Sequence, residues 1–324
     1  MNTFDQLLEL VQTGIKGMDL PPEPALLYEP IRYSLEEGGK RIRPVALLAG
    51  CEMFGGDPCE ALSAALAVEV FHNFTLLHDD IMDNAPTRRG KPAVHKRWDS
   101  NVAILSGDVM MIGAYRLLAK LSGEKLTAVL GIFNEVAVGV CEGQSLDMQY
   151  ESHSEISVAE YLEMIRLKTA VLLAGAFKIG ARLAGTDVHR ADIMYSFGLN
   201  VGMAFQIQDD LLDTYSDEAT LGKNIGVDIL AGKKTFLLTN ALALADPATK
   251  MRLQNLTADQ FLPAAEKIAC VKTIYDSLAV KTLAEKTIEQ YFDTALSLLE
   301  TLDTPHEKLI TTRELADIIL NRKK

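Results

Sequence analysis

Two short segments of the chain carry carboxylates at a spacing that can hold cations. LHDDIMD contains Asp79, Asp80 and Asp83, and FQIQDDLLD contains Asp209, Asp210 and Asp213. Both follow the pattern DDxxD. On a helix, positions i and i+4 share a face with Cβ atoms about 5–6 Å apart. Each segment then presents two carboxylates side by side and a third displaced around the helix.

Such clusters repel internally and resist desolvation. Both follow long apolar stretches, so they fall at helix C-termini, where the helix dipole disfavours negative charge. A cation must offset this. Mg²⁺ suits the pattern, because it takes one or two carboxylates, keeps several waters and completes its shell with substrate phosphate oxygens. One isolated DDxxD reads most simply as a solvated or salt-bridged acidic patch. Two copies 130 positions apart, each ending an apolar run, point to a metal clamp.

The basic residues decide what such a clamp would hold. GGKRIRP sets Lys40 and Arg43 beside a glycine pair, and TRRGKP places Arg88 and Arg89 just after the first acidic cluster. His72 lies seven residues before Asp79, two helical turns away on nearly the same face. Lys168 and Thr169 follow, then Lys223 and Lys233 around further glycines. Arginine forks and lysine point charges bind phosphate oxygens without a metal. Any one of these residues alone reads as a solvated surface cation. Together they describe two phosphate sites, one bridged by metal and one held by Lys40, Arg43, His72 and Arg89, and so two anionic substrates.

The elements that must position these residues are helices. Apolar residues recur at three- and four-residue intervals almost throughout, and alternating β-branched runs are nearly absent. Helices are expected near 2–16, 23–38, 41–54, 59–82, 98–120, 124–149, 157–167, 171–184, 188–217, 229–244, 258–270, 273–301 and 305–321. The segments 59–82 and 188–208 are apolar around most of their circumference, as central, buried helices are. No linker, composition shift or repeat divides the chain, so residues 1–324 read as one all-α domain.

Composition excludes several alternatives. The chain has 324 residues, 48% of them hydrophobic, and 44 acidic against 32 basic side chains, a formal net charge of −12. That balance argues against a nucleic-acid binder. Four scattered cysteines form no CxxC, which suggests neither zinc nor disulfides and fits a reduced, cytoplasmic setting. The N-terminus MNTFDQLLEL lacks the basic region of a signal peptide. No stretch reaches 18 uninterrupted apolar residues, so no membrane span is expected.

GGKRIRP, HDDIMD with RRGKP, GQSLD, LKT, FQIQDDLLD and GKNIGVD…GKKT, in that order, resemble the trans-isoprenyl diphosphate synthases of the polyprenyl synthetase family. The resemblance implies a helical bundle around a central cavity, a homodimer, and head-to-tail condensation of isopentenyl diphosphate with an allylic diphosphate. It implies three Mg²⁺ ions bridging the allylic diphosphate to Asp79, Asp83 and Asp209, with Asp80, Asp210 and Asp213 as further ligands or supports. Arg88, Lys168, Lys223 and Lys233 would stabilise the departing diphosphate. Thr169, Gln206 and a nearby backbone carbonyl would face the allylic cation. Lys40, Arg43, His72 and Arg89 would hold isopentenyl diphosphate, with Gln144 and Asp147 near that wall and Asp147 supporting a basic residue.

The family's product length follows a residue five before the first aspartate, here Phe74, with Thr75 fourth and Phe71 eighth. An aromatic at the fifth place and a small fourth residue point to a product of C15 to C20. Helical geometry alone puts Thr75 nearer the Asp79 face than Phe74, so this rule comes from the resemblance only. A class I terpene cyclase would share the fold and one DDxxD, but it has no use for a second diphosphate site. An inactive partner subunit or scaffold would have lost an aspartate or a basic site, and this sequence keeps them all.

Overall fold

A computed structural model describes residues 2–216 and 225–320. These residues are helical almost throughout, as the apolar periodicity requires. The first elements are α1 (Phe4–Lys16), α2 (Ala25–Glu36), α3 (Ile42–Met53), α4 (Pro58–Met82), the short α5 (Val94–Arg97) and α6 (Ser100–Leu118). Then come α7 (Gly123–Glu151), α8 (Val158–Ile165), a π-turn over Arg166–Ala170, α9 (Val171–Leu183) and α10 (Val188–Tyr215). The chain closes with α11 (Val227–Ala231), α12 (Phe236–Leu244), α13 (Pro247–Ala258), α14 (Ala264–Ser277), α15 (Val280–Glu300) and α16 (His306–Leu320).

Local chemistry sets many of these ends. Thr3 and Gln6 form a capping box on α1, as Ser157 and Glu160 do on α8. Asp57 caps α4 through the Cys59 N–H, with Pro58 opening the helix.

Four features depart from the sequence reading. The break expected at 271–272, between helices 258–270 and 273–301, falls instead at Leu278–Ala279, where Ala279 turns left-handed (φ 54°). The stretch expected as one helix over 229–244 is two, because Gly232 turns left-handed (φ 65°) and Thr235 caps a new start at the Leu238 N–H. Helix α13 was not foreseen, although Asp246 caps it at Ala248 and Thr249 and Pro247 stands at its first turn. A small antiparallel pair, β1 (Thr87–Arg88) with β2 (Lys91–Pro92), interrupts the helices, with Arg88 opposite Lys91.

Contacts divide the chain into two compact units, where the sequence suggested no boundary. The first comprises Met1–Glu135, Gly175–Tyr195 and Leu302–Leu315. Its centre is α4, which packs on α3 and α6 and buries Ala64, Ala67, Val68, Phe71 and Phe74. Each such apolar side chain removed from water contributes about 1.5–3 kcal/mol when large. Gly180 of α9 comes so close to α3 that a Cβ there would lie 2.0 Å from the Leu47 carbonyl oxygen.

The second unit comprises Val136–Ala174, Ser196–Thr301 and Ala316–Lys324. Its core gathers Tyr161, Ile207, Phe236, Leu237, Val271 and Tyr275. The buried Lys267 ties it together, donating to the carbonyls of Leu230, Thr257 and Asp259 at 3.3, 2.9 and 3.0 Å.

Helices α6 and α7 are long and apolar enough, by length and composition, to cross a membrane. Counting only uninterrupted apolar runs passes over both.

Candidate active site

The first acidic cluster ends α4. Asp79 is half-buried, Asp80 is 3% exposed, and Asp83 lies in the open as the residue that caps the helix, its N–H bonded to the Asp79 carbonyl. Asp80 is the carboxylate displaced around the helix, and it turns inward. Arg88 reaches it from β1, donating from Nε to both carboxylate oxygens at 3.0 and 3.2 Å and from Nη2 to Oδ1. The same guanidinium lies 3.5 Å from Asp79 Oδ2. Burial pushes the Asp80 carboxyl up and Arg88 draws it back, while Asp80 and Asp79 hold Arg88 above its ordinary value against burial.

The β-pair explains how two adjacent arginines take separate roles. Its turn residues, Arg89 and Gly90, both have positive φ (52° and 78°), the signs a tight two-residue hairpin demands. For an arginine that conformation costs roughly 1–2 kcal/mol. The result is that Arg88 turns to the acidic cluster and Arg89 turns away, donating from Nη1 to the Gly38 carbonyl.

Arg89 thereby joins the basic loop between α2 and α3. Gly38 and Gly39 have φ of 86° and 118°, and a Cβ on Gly39 would lie 2.8 Å from the Arg89 Cζ, so this glycine is required twice over. Arg43 Nη1 meets His72 Nε2 at 3.0 Å. That contact makes Nε2 the acceptor of a neutral imidazole and puts the ring proton on Nδ1. Burial and then Arg43, Arg89, Arg88 and Arg41 hold His72 well below the ordinary histidine value. Lys40 stands exposed at the end of the loop. The structure thus brings Arg43, His72 and Arg89 around one loop. It adds Arg41, whose guanidinium pairs with buried Glu69 and which the sequence reading missed.

The second cluster ends α10. Asp209 is exposed, Asp213 half-buried and Asp210 buried. Asp210 accepts from the Tyr161 hydroxyl, from the Phe236 N–H at 2.8 Å and from Gln206 Nε2 at 3.2 Å. The Phe236 N–H belongs to the first turn of α12, where an anion is favoured. Asp213 accepts the Asp228 N–H at 3.1 Å. Burial pushes Asp210 up to about 7, against the pull of Lys233, and burial and Asp228 push Asp213 up to about 6. Lys233 lies 3.7 Å from Asp228 Oδ1, and against burial Asp228 and Asp210 hold its ammonium above the ordinary value. Lys223 lies outside the described residues.

Lys168 and Thr169 sit on the π-turn, in the gap the sequence reading left between 167 and 171. An inserted residue of this kind re-aims consecutive side chains. Two glycines bring helices against it: a Cβ on Gly143 would lie 2.2 Å from Lys168 N, and one on Gly202 would lie 2.7 Å from Ala170 Cα. The basic residue that Asp147 supports is Lys168, whose Nζ is 2.5 Å from Asp147 Oδ2. The Thr169 hydroxyl donates to Gln206 Oε1 at 3.0 Å. Because Asp210 accepts from the same amide's nitrogen, the Gln206 oxygen is turned to Thr169. Gln144 stands half-buried one residue after Gly143.

Of the residues expected to set product length, Phe74 and Phe71 are core residues of the first unit and Thr75 is half-buried. Phe74 is 8% exposed and Phe71 1%. Phe74 meets the His78 ring at 4.7 Å, Phe71 meets Phe74 at 5.5 Å, and Phe133 of α7 meets Phe71 at 5.2 Å. His78 lies in the notch of Gly107 and contacts the Ile104 carbonyl at 3.2 Å, a packing role. The Thr75 hydroxyl bonds back to the His72 carbonyl.

Among the described residues, no three His, Cys, Asp or Glu groups converge closely enough to hold a metal by themselves. In each cluster taken by itself, the donors are carboxylate oxygens, Asp79 and Asp83 in the first and Asp209 in the second, the chemistry that suits Mg²⁺ when it shares its shell with substrate phosphate. Carboxylates ending two helices, with cationic anion sites on an all-α fold, define a class: a helical protein that handles phosphorylated ligands.

Comparison with known proteins makes the class specific. A family model described as polyprenyl synthetase matches residues 24–278. The geranylgeranyl diphosphate synthase of Sulfolobus acidocaldarius is 35% identical over 100% of this chain and 98% of its own length. The geranylfarnesyl diphosphate synthase of Natronomonas pharaonis is also 35% identical, with 97% of this chain and 95% of that protein covered. The crystal structure of geranylgeranyl pyrophosphate synthetase from Pyrococcus horikoshii Ot3 matches with a TM-score of 0.92 at 34% identity, over 99% of this chain and 98% of that one. The chain belongs to the polyprenyl synthetase family, and it is a prenyltransferase.

Proposed function

We propose that the protein condenses isopentenyl diphosphate head-to-tail with dimethylallyl, geranyl or farnesyl diphosphate, releasing diphosphate and making a trans-prenyl diphosphate of C15 to C20. The observation that carries this reading is the division between Arg88 and Arg89. One hairpin directs one arginine to a carboxylate cluster and the next to a loop of cations, as two differently held diphosphates require.

Breaking the allylic C–O bond leaves negative charge on the departing diphosphate. Arg88, Lys168, Lys223 and Lys233 stabilise that charge as it develops. Asp79, Asp83 and Asp209 would hold Mg²⁺, three ions by family resemblance, which when bound would supply further positive charge. Asp213, Asp80 and Asp210 support these positions, the last two through Arg88 and Gln206. The Thr169 hydroxyl and the Gln206 oxygen are neutral acceptors, able to stabilise an allylic cation without capturing it.

Lys40, Arg43, His72 and Arg89 hold the second diphosphate, so that its alkene attacks the cation and a C–C bond forms. The proton lost afterwards passes to the released diphosphate, consistent with the lack of any side-chain base in the assignment. Buried Phe74, backed by Phe71, closes the prenyl pocket early. Residues 1–324 act as one catalytic domain, in a cytoplasmic homodimer; the described cysteines are free thiols.

The test is one assay with Mg²⁺, isopentenyl diphosphate and each allylic primer in turn, products separated by length. Linear C15 to C20 diphosphates are expected. Asp79→Ala and Asp209→Ala should each lower turnover by roughly 10²-fold or more with the fold intact. Near-normal turnover in either variant would remove its metal role, and a product formed without isopentenyl diphosphate would overturn the condensation.

A further inference from the structure

We propose that the buried pair Arg41–Glu69 is a positioning device for the isopentenyl diphosphate site. It fixes the backbone that carries Lys40 and Arg43, and so sets affinity for that substrate without touching it. The inference rests on the functional reading above.

Both partners are withdrawn from solvent, their side chains 5% and 3% exposed. A buried ion pair is on balance seldom more stabilising than apolar residues of the same volume, because desolvation offsets the attraction. Its use in a loop therefore calls for a role in specifying geometry. Arg41 has that geometry: it stands at φ 48° and ψ 33°, left-handed, immediately before α3. Its guanidinium donates to Glu69 Oε1 on α4 and to the Leu35 carbonyl in the last turn of α2. One side chain thus clamps the end of the loop to two helices and holds the backbone in a conformation that arginine resists.

The clamp belongs to the same stripe of α4 that meets the site. Glu69, His72 and Asn73 are related by three and four residues and share a face. Asn73 Nδ2 donates to Glu69 Oε1 at 2.9 Å and to the Glu69 carbonyl at 2.8 Å, which fixes the carboxylate. One turn on, His72 meets Arg43. On the other side of the clamp, the Gly38 carbonyl accepts Arg89 and Gly39 lies against its guanidinium. A shift of this loop would displace Lys40, Arg43 and Arg89 together. Arg41 also repels its cationic neighbours, and pairing it with Glu69 keeps a fourth positive charge from loosening them.

Steady-state kinetics with each substrate varied separately, alongside thermal unfolding, test the proposal on the wild type, Glu69→Gln and the double variant Arg41→Met/Glu69→Leu. The double variant removes both charges and keeps the volume filled, so it carries the test if Glu69→Gln does not fold. In both, KM for isopentenyl diphosphate should rise roughly tenfold or more, while KM for the allylic diphosphate stays within about twofold. A normal isopentenyl diphosphate KM in the double variant overturns the inference. So does an equal loss for both substrates that tracks a lowered melting temperature, which marks a merely structural pair. A wild-type protein that condenses nothing overturns the functional reading and the inference with it.

Discussion

His72 shows how much a single residue's state depends on what surrounds it. As a sequence position it is a histidine two turns from Asp79; in the folded chain its ring is a neutral acceptor among Arg43, Arg89, Arg88 and Arg41. The ordinary histidine value is 6.5, and His72 lies well below it. Below pH 6.5 the unfolded chain therefore binds a proton at this position that the folded chain resists. The sign follows: stability is fully present above 6.5 and is lost as pH falls toward the folded value. Asp210 and Asp213, pushed up to about 7 and about 6, act in the opposite sense over this range, so the test is a difference. In urea unfolding across pH 5 to 7, wild type should lose more stability, or gain less, as pH falls than His72→Gln does. Burial lowers His95 as well, in both proteins alike. An unchanged slope in His72→Gln would mean that the ring protonates freely when folded. At this scale the acidic and basic candidates were legible, because residue type and local spacing define them. Arg41–Glu69 and Tyr161–Asp210 were not, since each joins residues 28 and 49 positions apart.

Among the elements, the π-turn over Arg166–Ala170 carries Lys168 and Thr169 of the candidate site in the second unit. Its side chains are placed by the helices that flank it, which approach closely only because Gly143 and Gly202 lack a Cβ. Gly143→Ala should cost roughly 1–3 kcal/mol of stability through overpacking against the Lys168 backbone. Turnover should fall further than stability, because Lys168 and its partner Asp147 move with that contact. Gly131→Ala on the same helix meets open space and should instead gain about 0.5–1 kcal/mol. Thermal unfolding and turnover of the two variants together check the argument. Wild-type turnover in Gly143→Ala would show that the close approach does not place Lys168. The expected helices 157–167 and 171–184 leave 168–170 between them, but the type of turn there depends on packing.

For the whole molecule, the assembly reading turns on α6. One side of it buries Ala103, Ser106, Met110 and Ala114, while Ile104, Leu105, Met111 and Ile112 are 42, 59, 38 and 59% exposed. This second apolar face is why α6 has the composition of a membrane-crossing helix, and a second copy of the chain would cover it. A two-fold axis at Ile112 would set Asp108 of one copy opposite Arg116 of the other, a self-complementary pairing that a symmetric interface needs. Sedimentation should find the wild type dimeric and Ile112→Asp shifted to monomer at micromolar concentration. A monomeric wild type, or a variant that stays dimeric, would exclude this face.

The sequence by itself determined the helical class, the DDxxD pairs, the basic candidates and the family. Periodicity, residue type and spacing are local properties, readable without a fold. Only the tertiary structure decided which aspartates turn inward, as Asp80 does to Arg88 and Asp210 does to Tyr161 and Phe236. It likewise decided that Arg88 and Arg89 part at the hairpin and that Arg41 is the arginine of GGKRIRP withdrawn from solvent. The physical reason is desolvation. A charge has little preference among partners in water, and folding assigns one by removing the water around it.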